Sequence, residues 1–156
     1  MVKHLASDTI KQLTQANKTI ATAESCTGGM LSCALTDTVG SSAVFERGFI
    51  TYSNTSKIES LGVKPDTINK YGAVSENTAS EMAYGVLKFS NTDIGIAITG
   101  VAGPDCSENK PVGLVYIAIA DKEKCIVVKN TFSGDRKTIR HRATKKALEM
   151  ILEHIA

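Results

Sequence analysis

The chain has 156 residues, of which 42% are hydrophobic and 22% charged, and its 18 basic and 16 acidic side chains leave a net charge of +2. This length suits one domain with a full core, over residues 1–156, and the composition is ordinary for a soluble globular protein. The near balance of charge predicts no nucleic-acid partner, and no apolar run approaches the length needed to cross a membrane.

Cysteine and histidine usage argues against a metal centre and against a disulfide framework. No Cys-x-x-Cys pair occurs, and the three histidines do not cluster near the cysteines. The first residues lack the apolar stretch of a secretory leader. We therefore expect a cytoplasmic protein with free thiols and no bound metal.

Hydrophobic periodicity and turn residues predict alternating helices and strands in the first half of the chain. The predicted elements are a helix over 2–15, a strand over 19–23, a helix over 29–36, a strand over 43–52, and helices over 54–60 and 65–70.

In the second half, Ser75 is the predicted N-cap of a helix over 76–89. A nearly all-apolar strand over 94–99 follows, then a hairpin of strands over 113–120 and 124–132, and a closing helix that ends near residue 153. This order predicts a single-domain α/β fold in which helices flank both faces of a mixed β-sheet, a three-layer α/β/α arrangement.

The segment 22–29, with the sequence TAESCTGG, combines a strand end, a polar turn and the start of a helix. Glycines let the backbone approach a ligand, and the free N–H groups of a helix N-terminus attract anions. No lysine follows the glycines, so this is not a Walker loop. An ordinary capped turn explains the segment equally well.

Three further loops carry small and polar residues: 40–42, 99–104 and 133–136. The turn at 22–29 and the last two of these loops each follow a predicted strand, so they could converge at one edge of the sheet. Gly100 and Gly103 indicate either a turn that needs positive φ or a nest of N–H groups facing an anion, and Thr99 adds a hydroxyl.

The chain has no Ser-His-Asp arrangement, so a hydrolase would need another base. Lys57 could serve if burial lowers its pKa, although a surface lysine is the simpler interpretation. Ser42 and Tyr52 lie at opposite ends of a predicted strand, which rises about 3.3 Å per residue. A bend at Gly48 or a partner subunit would be needed to bring them together.

Seven motifs together resemble the C-terminal domain of the CinA (competence/damage-inducible) family, whose stand-alone members are nicotinamide-nucleotide amidohydrolases. The resemblance covers about residues 5–152. The motifs are TAESCTGG (22–29), GSSAVFERGFITYSNTSK (40–57), LGV (61–63), YGAVSE (71–76), ITGVAGP (98–104), KPVG (110–113) and SGDR (133–136).

The resemblance implies hydrolysis of nicotinamide mononucleotide to nicotinate mononucleotide and ammonia, in pyridine-nucleotide recycling and without a cofactor. It places the nucleophile on Ser42, the lysine base on Lys57 and an assisting tyrosine on Tyr52. The residues that it implies for substrate binding are Glu24, Ser25, Cys26, Thr27, Gly28, Gly29, Thr99, Gly100, Gly103 and Arg136.

The chain departs from the family pattern at Cys106, which follows Asp105 where relatives usually carry two glycines. The N-terminal domain of many relatives, with its pyrophosphatase activity, is not expected here. We expect a homodimer or higher homo-oligomer with a small nucleotide as its partner, and no membrane or nucleic acid. A non-catalytic ligand-sensing or protein-interaction module in competence or DNA damage remains the alternative.

Overall fold

The computed structural model describes residues 1–156, which form six α-helices and a five-stranded sheet. The helices are α1 (Val2–Ala16), α2 (Met30–Thr36), α3 (Asn54–Leu61), α4 (Pro65–Tyr71), α5 (Glu76–Ser90) and α6 (Arg136–Ile155). The strands are β1 (Ile20–Glu24), β2 (Phe45–Ile50), β3 (Ile94–Gly100), β4 (Leu114–Ala120) and β5 (Cys125–Thr131).

The strand order across the sheet is β2-β1-β3-β4-β5. β1 pairs in parallel with both β2 and β3, whereas β4 runs antiparallel to β3 and to β5. As a result β5 points the same way as β3. The carboxyl ends of β1, β2, β3 and β5 therefore lie at one edge of the sheet, and the loops that leave them can face a common space.

The central strands alternate large and small apolar residues, so the two faces of the sheet differ. Isoleucines such as Ile96 and Ile117 face α1, α2 and α6 in the larger core cluster. Alanines such as Ala97 and Ala118 face α5 in the second cluster. Successive side chains of a strand point to opposite faces, so this alternation sends the bulky set to one helix layer and the small set to the other.

The small face lets α5 lie very close to the sheet. A Cβ atom added at Gly95 in β3 would come within 2.7 Å of the carbonyl oxygen of Ala83 in α5. Only glycine allows this approach without moving the helix. The fold is the three-layer α/β/α arrangement that the sequence predicts, with a mixed sheet between helices.

The main departure from the predicted elements is at β2, which begins at Phe45 rather than at residue 43. A short 3-10 turn over Ser41–Ala43 precedes it. Ser75 caps α5 as predicted, since its hydroxyl accepts a hydrogen bond from the backbone N–H of Thr78. None of the six helices combines the length and the apolar character that a membrane span requires.

Candidate active site

A cavity of about 230 Å³ opens at the edge where β1, β2 and β3 end. Loops after all three strands contribute to it, as does the start of α6, so the predicted convergence is confirmed for the turn at 22–29 and for the 99–104 and 133–136 loops. The side chains that bear directly on its chemistry are Ser25, Cys26, Tyr52, Lys57, Glu108 and Arg136.

Lys57 points into this cavity from the first turns of α3. The hydroxyl of Ser53 caps this helix by accepting from the backbone N–H of Ser56, which fixes the helix start just after β2. The Nζ of Lys57 donates to the carbonyl oxygens of Thr51 at 2.9 Å and Tyr52 at 3.1 Å, and lies 3.0 Å from the Oγ of Ser25. Only 1% of the residue is exposed.

Burial lowers the pKa of Lys57 from its usual 10.5 to about 8, because desolvation penalises the ammonium form, while the nearby Cys26 and Glu108 act in the opposite direction. The surrounding oxygens suit both protonation states. An ammonium group has three donors for three acceptors. The neutral amine keeps two donors for the carbonyls and offers its lone pair to the Ser25 hydroxyl.

Ser25 is the first residue after β1, and the turn fixes its backbone. Its N–H donates to the carbonyl oxygen of Ile98 at 3.0 Å, and its own carbonyl accepts from Gly28 at 3.0 Å. The neighbouring Cys26 is a poor nucleophile, because burial raises the pKa of its thiol to about 11. The thiol is therefore protonated at neutral pH, and the side chain in contact with the lysine amine is the Ser25 hydroxyl.

The fully buried Glu24 holds this turn against the start of α2. Its Oε1 accepts from the Thr27 hydroxyl and from the backbone N–H of Leu31, and its Oε2 accepts from the N–H and hydroxyl of Ser32. A carboxylate at the N-terminus of α2 satisfies free N–H groups there and complements the helix dipole. Both of its oxygens are committed to the fold.

Two arginines of α6, one helical turn apart, hold the loops on either side of the cavity. Arg140 donates from Nε to the carbonyl of Cys26 at 3.0 Å and from a terminal nitrogen to that of Thr27 at 3.0 Å. Arg136 donates to the carbonyl of Gly103, and to the hydroxyl of Tyr52 at 2.9 Å. The turn after β1 and the loop after β3 are thereby fastened to the same helix.

The wall formed by the loop after β3 is tied to the segment between α4 and α5. The Thr99 hydroxyl donates to the carbonyl of Ala73 at 2.9 Å. The Glu108 carboxylate accepts from the backbone N–H groups of Ala73 at 2.8 Å and Val74 at 3.2 Å. Lys110 donates to the carbonyls of Tyr71 and Val74.

Comparison with known protein families gives a match to the CinA C-terminal domain over residues 2–155. The chain belongs to this family. A competence-damage inducible protein of Acetivibrio thermocellus is 52% identical over 146 residues, which are 93% of this chain and 35% of that protein. A CinA-like protein of Endomicrobium trichonymphae is 49% identical over 94% of this chain and 35% of its own length. The chain thus spans about a third of the curated relatives it matches.

Solved structures of CinA proteins share the whole architecture. The competence/damage inducible protein CihA from Agrobacterium tumefaciens is similar with a TM-score of 0.94 and 41% identity, covering 97% of this chain and 94% of that one. A CinA superfamily protein from Escherichia coli gives a TM-score of 0.96 and 34% identity over 99% of this chain and 90% of its own.

The structure of this CinA domain does not bring Ser42 to Lys57. Ser42 lies exposed in the 3-10 turn before β2, whereas Lys57 follows the other end of that strand. β2 alone spans roughly 16 Å at about 3.3 Å per residue. The strand pairing shifts near its start, between Ile20 and Ala21 of β1, but no bend folds the strand back. Within one chain, the hydroxyl that lies beside Lys57 is that of Ser25 and not that of Ser42.

The other predicted residues divide into two groups. The predicted residues that line the cavity are Ser25, Cys26, Tyr52, Lys57, Thr99, Gly100, Gly103 and Arg136. The predicted substrate-binding residues that do not line the cavity are Glu24, Thr27, Gly28 and Gly29. They build the turn instead: the Thr27 hydroxyl donates to the Glu24 carboxylate, and both glycines have positive φ.

Sequence reasoning did not single out Arg140, which lies in a run of basic residues over 136–146. The signal available was its spacing of four from Arg136, which puts both side chains on one face of the helix. Glu108 lies in no motif, and Lys110 enters only as the first residue of KPVG; the role of both depends on a contact with a segment more than thirty residues away.

Proposed function

We propose that this domain hydrolyses the carboxamide of nicotinamide mononucleotide, with Ser25 as nucleophile and Lys57 as general base. The observation that carries the proposal is the 3.0 Å contact between Lys57 Nζ and Ser25 Oγ at the wall of a cavity. A serine becomes nucleophilic when an adjacent base can take its proton. A lysine with a pKa of about 8 supplies that base near neutral pH.

In the first half of the reaction, neutral Lys57 takes the hydroxyl proton of Ser25 while Oγ bonds to the amide carbon. The carbonyl oxygen becomes an oxyanion in a tetrahedral intermediate. Lys57 then gives the proton to the amide nitrogen, the C–N bond breaks and ammonia leaves. The two backbone carbonyls of Thr51 and Tyr52 hold Nζ in place throughout, since they bond to it in either protonation state.

The oxyanion needs hydrogen-bond donors that are fixed before the reaction. The backbone N–H of Cys26 directly follows the nucleophile, and it donates to no carbonyl oxygen of the chain. Arg140 holds the carbonyl of the same residue on its other side. The N–H of Cys26 is therefore our candidate for stabilising the developing charge.

In the second half, a water molecule attacks the ester carbon and passes its proton to Lys57. The bond to Ser25 Oγ breaks, Lys57 returns the proton to that oxygen, and nicotinate mononucleotide is released. Arg136 is permanently charged and lies in the cavity lining, so it suits the phosphate of the substrate. These steps use only side chains and backbone groups of the domain, together with water.

Ammonia release from nicotinamide mononucleotide by the purified protein tests the activity directly. We expect one ammonia and one nicotinate mononucleotide per substrate consumed. If nicotinamide mononucleotide remained intact after prolonged incubation, the proposed hydrolysis of this substrate would be wrong. Parallel incubations with other pyridine and purine nucleotide amides then show whether a different amide is the substrate.

A further inference from the structure

The cavity contains negative charge that the serine–lysine chemistry does not use. Asp105 and Glu108 line it together with Lys57 and Arg136. Glu108 is well fixed, because its oxygens accept from two backbone N–H groups and it lies 3.3 Å from Lys110 Nζ. Although partial burial raises the pKa of Glu108, these hydrogen bonds hold it below its usual 4.5. Its carboxylate is therefore ionised at neutral pH.

In the absence of a ligand, the Glu108 carboxylate has two effects that are unfavourable for the proposed reaction. It raises the pKa of Lys57 and so reduces the fraction of neutral base. It also repels the negative charge that develops on the amide oxygen, since like charges in a partly dry site interact strongly. Lys110 forms an ion pair with this carboxylate at 3.3 Å but does not line the cavity, so a cation inside the cavity would be a further favourable partner.

The substrate class of the proposed function supplies such a partner. In nicotinamide mononucleotide the pyridine nitrogen carries the ribose, so the ring that bears the carboxamide is a permanent cation. Because Ser25 and Glu108 line the same cavity, a ring whose carboxamide is at Ser25 would lie in the space that Glu108 also lines. The phosphate at the other end of the molecule carries the opposite charge and suits Arg136.

We propose that Glu108 is a specificity-determining residue that selects amides on a positively charged ring over the same amides on a neutral ring. This inference rests on the proposed function. It adds a requirement on the charge of the ring, which neither the nucleophile nor the phosphate contact would impose.

The test compares nicotinamide mononucleotide with its 1,4-dihydro form, whose ring is neutral while the carboxamide, ribose and phosphate are unchanged. Both Kd values are measured by calorimetry on Ser25→Ala protein, so that turnover does not interfere. We expect the cationic ligand to bind more tightly, and the added change Glu108→Gln to reduce the ratio of the two Kd values by about fivefold, as for a partly exposed charge pair.

Two further variants separate charge from architecture. Lys110→Met removes the bonds to Tyr71 and Val74 but keeps the carboxylate, so it is expected to weaken both ligands without reducing their ratio. Glu108→Asp keeps the charge and should keep most of the preference. Equal weakening of both ligands by Glu108→Gln would show that Glu108 only supports the wall, and would overturn the proposal.

If Glu108→Gln does not fold, the proposal is tested instead by measuring how the ratio of the two Kd values depends on salt concentration in Ser25→Ala protein. Charge selection falls as ionic strength rises, whereas selection by shape does not; a constant ratio would therefore overturn the proposal. Absence of binding by either ligand would overturn it together with the substrate class. Binding with the expected ratio but no ammonia release from the wild-type protein would remove the proposed hydrolysis alone.

Discussion

The Nζ of Lys57 lies 3.0 Å from the Oγ of Ser25, although the two residues are 32 positions apart. They meet because β1 and β2 run in parallel and end at the same edge, where Glu24 is the partner of Ile50 in the register. The residue after β1 therefore faces the helix that follows β2. This contact places a buried lysine amine beside a serine hydroxyl in a chain that has no histidine in its cavity.

Replacing Ser25 by alanine separates the two candidate nucleophiles. We expect Ser25→Ala to lower kcat for ammonia release by about a thousandfold or more. Ser42→Ala changes an exposed side chain at the other end of β2 and should keep most of the activity. Unchanged turnover by Ser25→Ala, with loss in Ser42→Ala, would restore the assignment that the motifs favoured.

The pH profile of activity should report the titration of Lys57. The neutral form is the base, and its fraction grows as pH rises through a pKa of about 8. We expect kcat/KM to increase with pH along a limb near that value and then level off. Lys57→Arg should be nearly inactive at every pH, because a guanidinium does not lose its proton in this range. Substantial turnover by Lys57→Arg would rule out the base role.

The same residue should leave a signature in the pH dependence of stability. The folded-state pKa of about 8 lies below the usual 10.5, so between these values the unfolded chain binds more protons than the folded one. The contribution of Lys57 to the free energy of unfolding therefore rises with pH across this window, by up to about 1.4 kcal/mol per pH unit. Urea denaturation of wild type and Lys57→Met at pH 7 and pH 10 measures it.

We expect Lys57→Met to be at least as stable as wild type at pH 7, since it removes a buried amine, and this advantage should shrink toward pH 10. A difference between the two proteins that does not change with pH would contradict the lowered pKa.

Glu24→Gln tests the buried carboxylate beneath the turn. Four donors converge on its two oxygens, and an amide NH₂ cannot accept from any of them. We expect a loss of about 2–4 kcal/mol in the free energy of unfolding, measured by urea denaturation. Glu46→Gln, on the exposed face of β2, is the matched control and should change stability by less than about 0.5 kcal/mol. Equal stability of the two variants would show that Glu24 contributes little.

Gly48→Ala tests the fit of β2 against the start of α2. A Cβ atom at Gly48 would lie 2.6 Å from the Oγ1 of Thr22 and 2.7 Å from the Oγ of Ser32, two hydroxyls that bond to each other at 2.7 Å. We expect a lower midpoint of thermal unfolding and a loss of about 1–3 kcal/mol, as for other overpacked sites. An unchanged midpoint would mean that the edge strand shifts outward freely.

The order of helices and strands could be predicted from the sequence because each element carries its own local pattern. The nearly all-apolar run at 94–99 predicted a strand buried on both faces, and β3 is one. Convergence of three loops could also be predicted, since parallel strands end at a shared edge. These inferences need only period, turn residues and strand direction.

The partner of Lys57 could not be derived in the same way. It depends on the short turn over 51–53 and on the direction of α3, and neither is encoded in a local pattern. The role of Arg140 was missed for a related reason. In the sequence, an arginine on a helix that binds a buried loop cannot be distinguished from one that faces solvent. The contacts of Arg140 follow only from the packing of α6 over the turn after β1.

The two arginines of α6 have a thermodynamic consequence for ligand binding. Because Arg136 and Arg140 fasten the loops on either side of the cavity to one rigid helix, the cavity is preorganised before a ligand arrives. Little conformational entropy then remains to be lost when a nucleotide enters, so more of its contact energy is available for affinity and for orienting the amide.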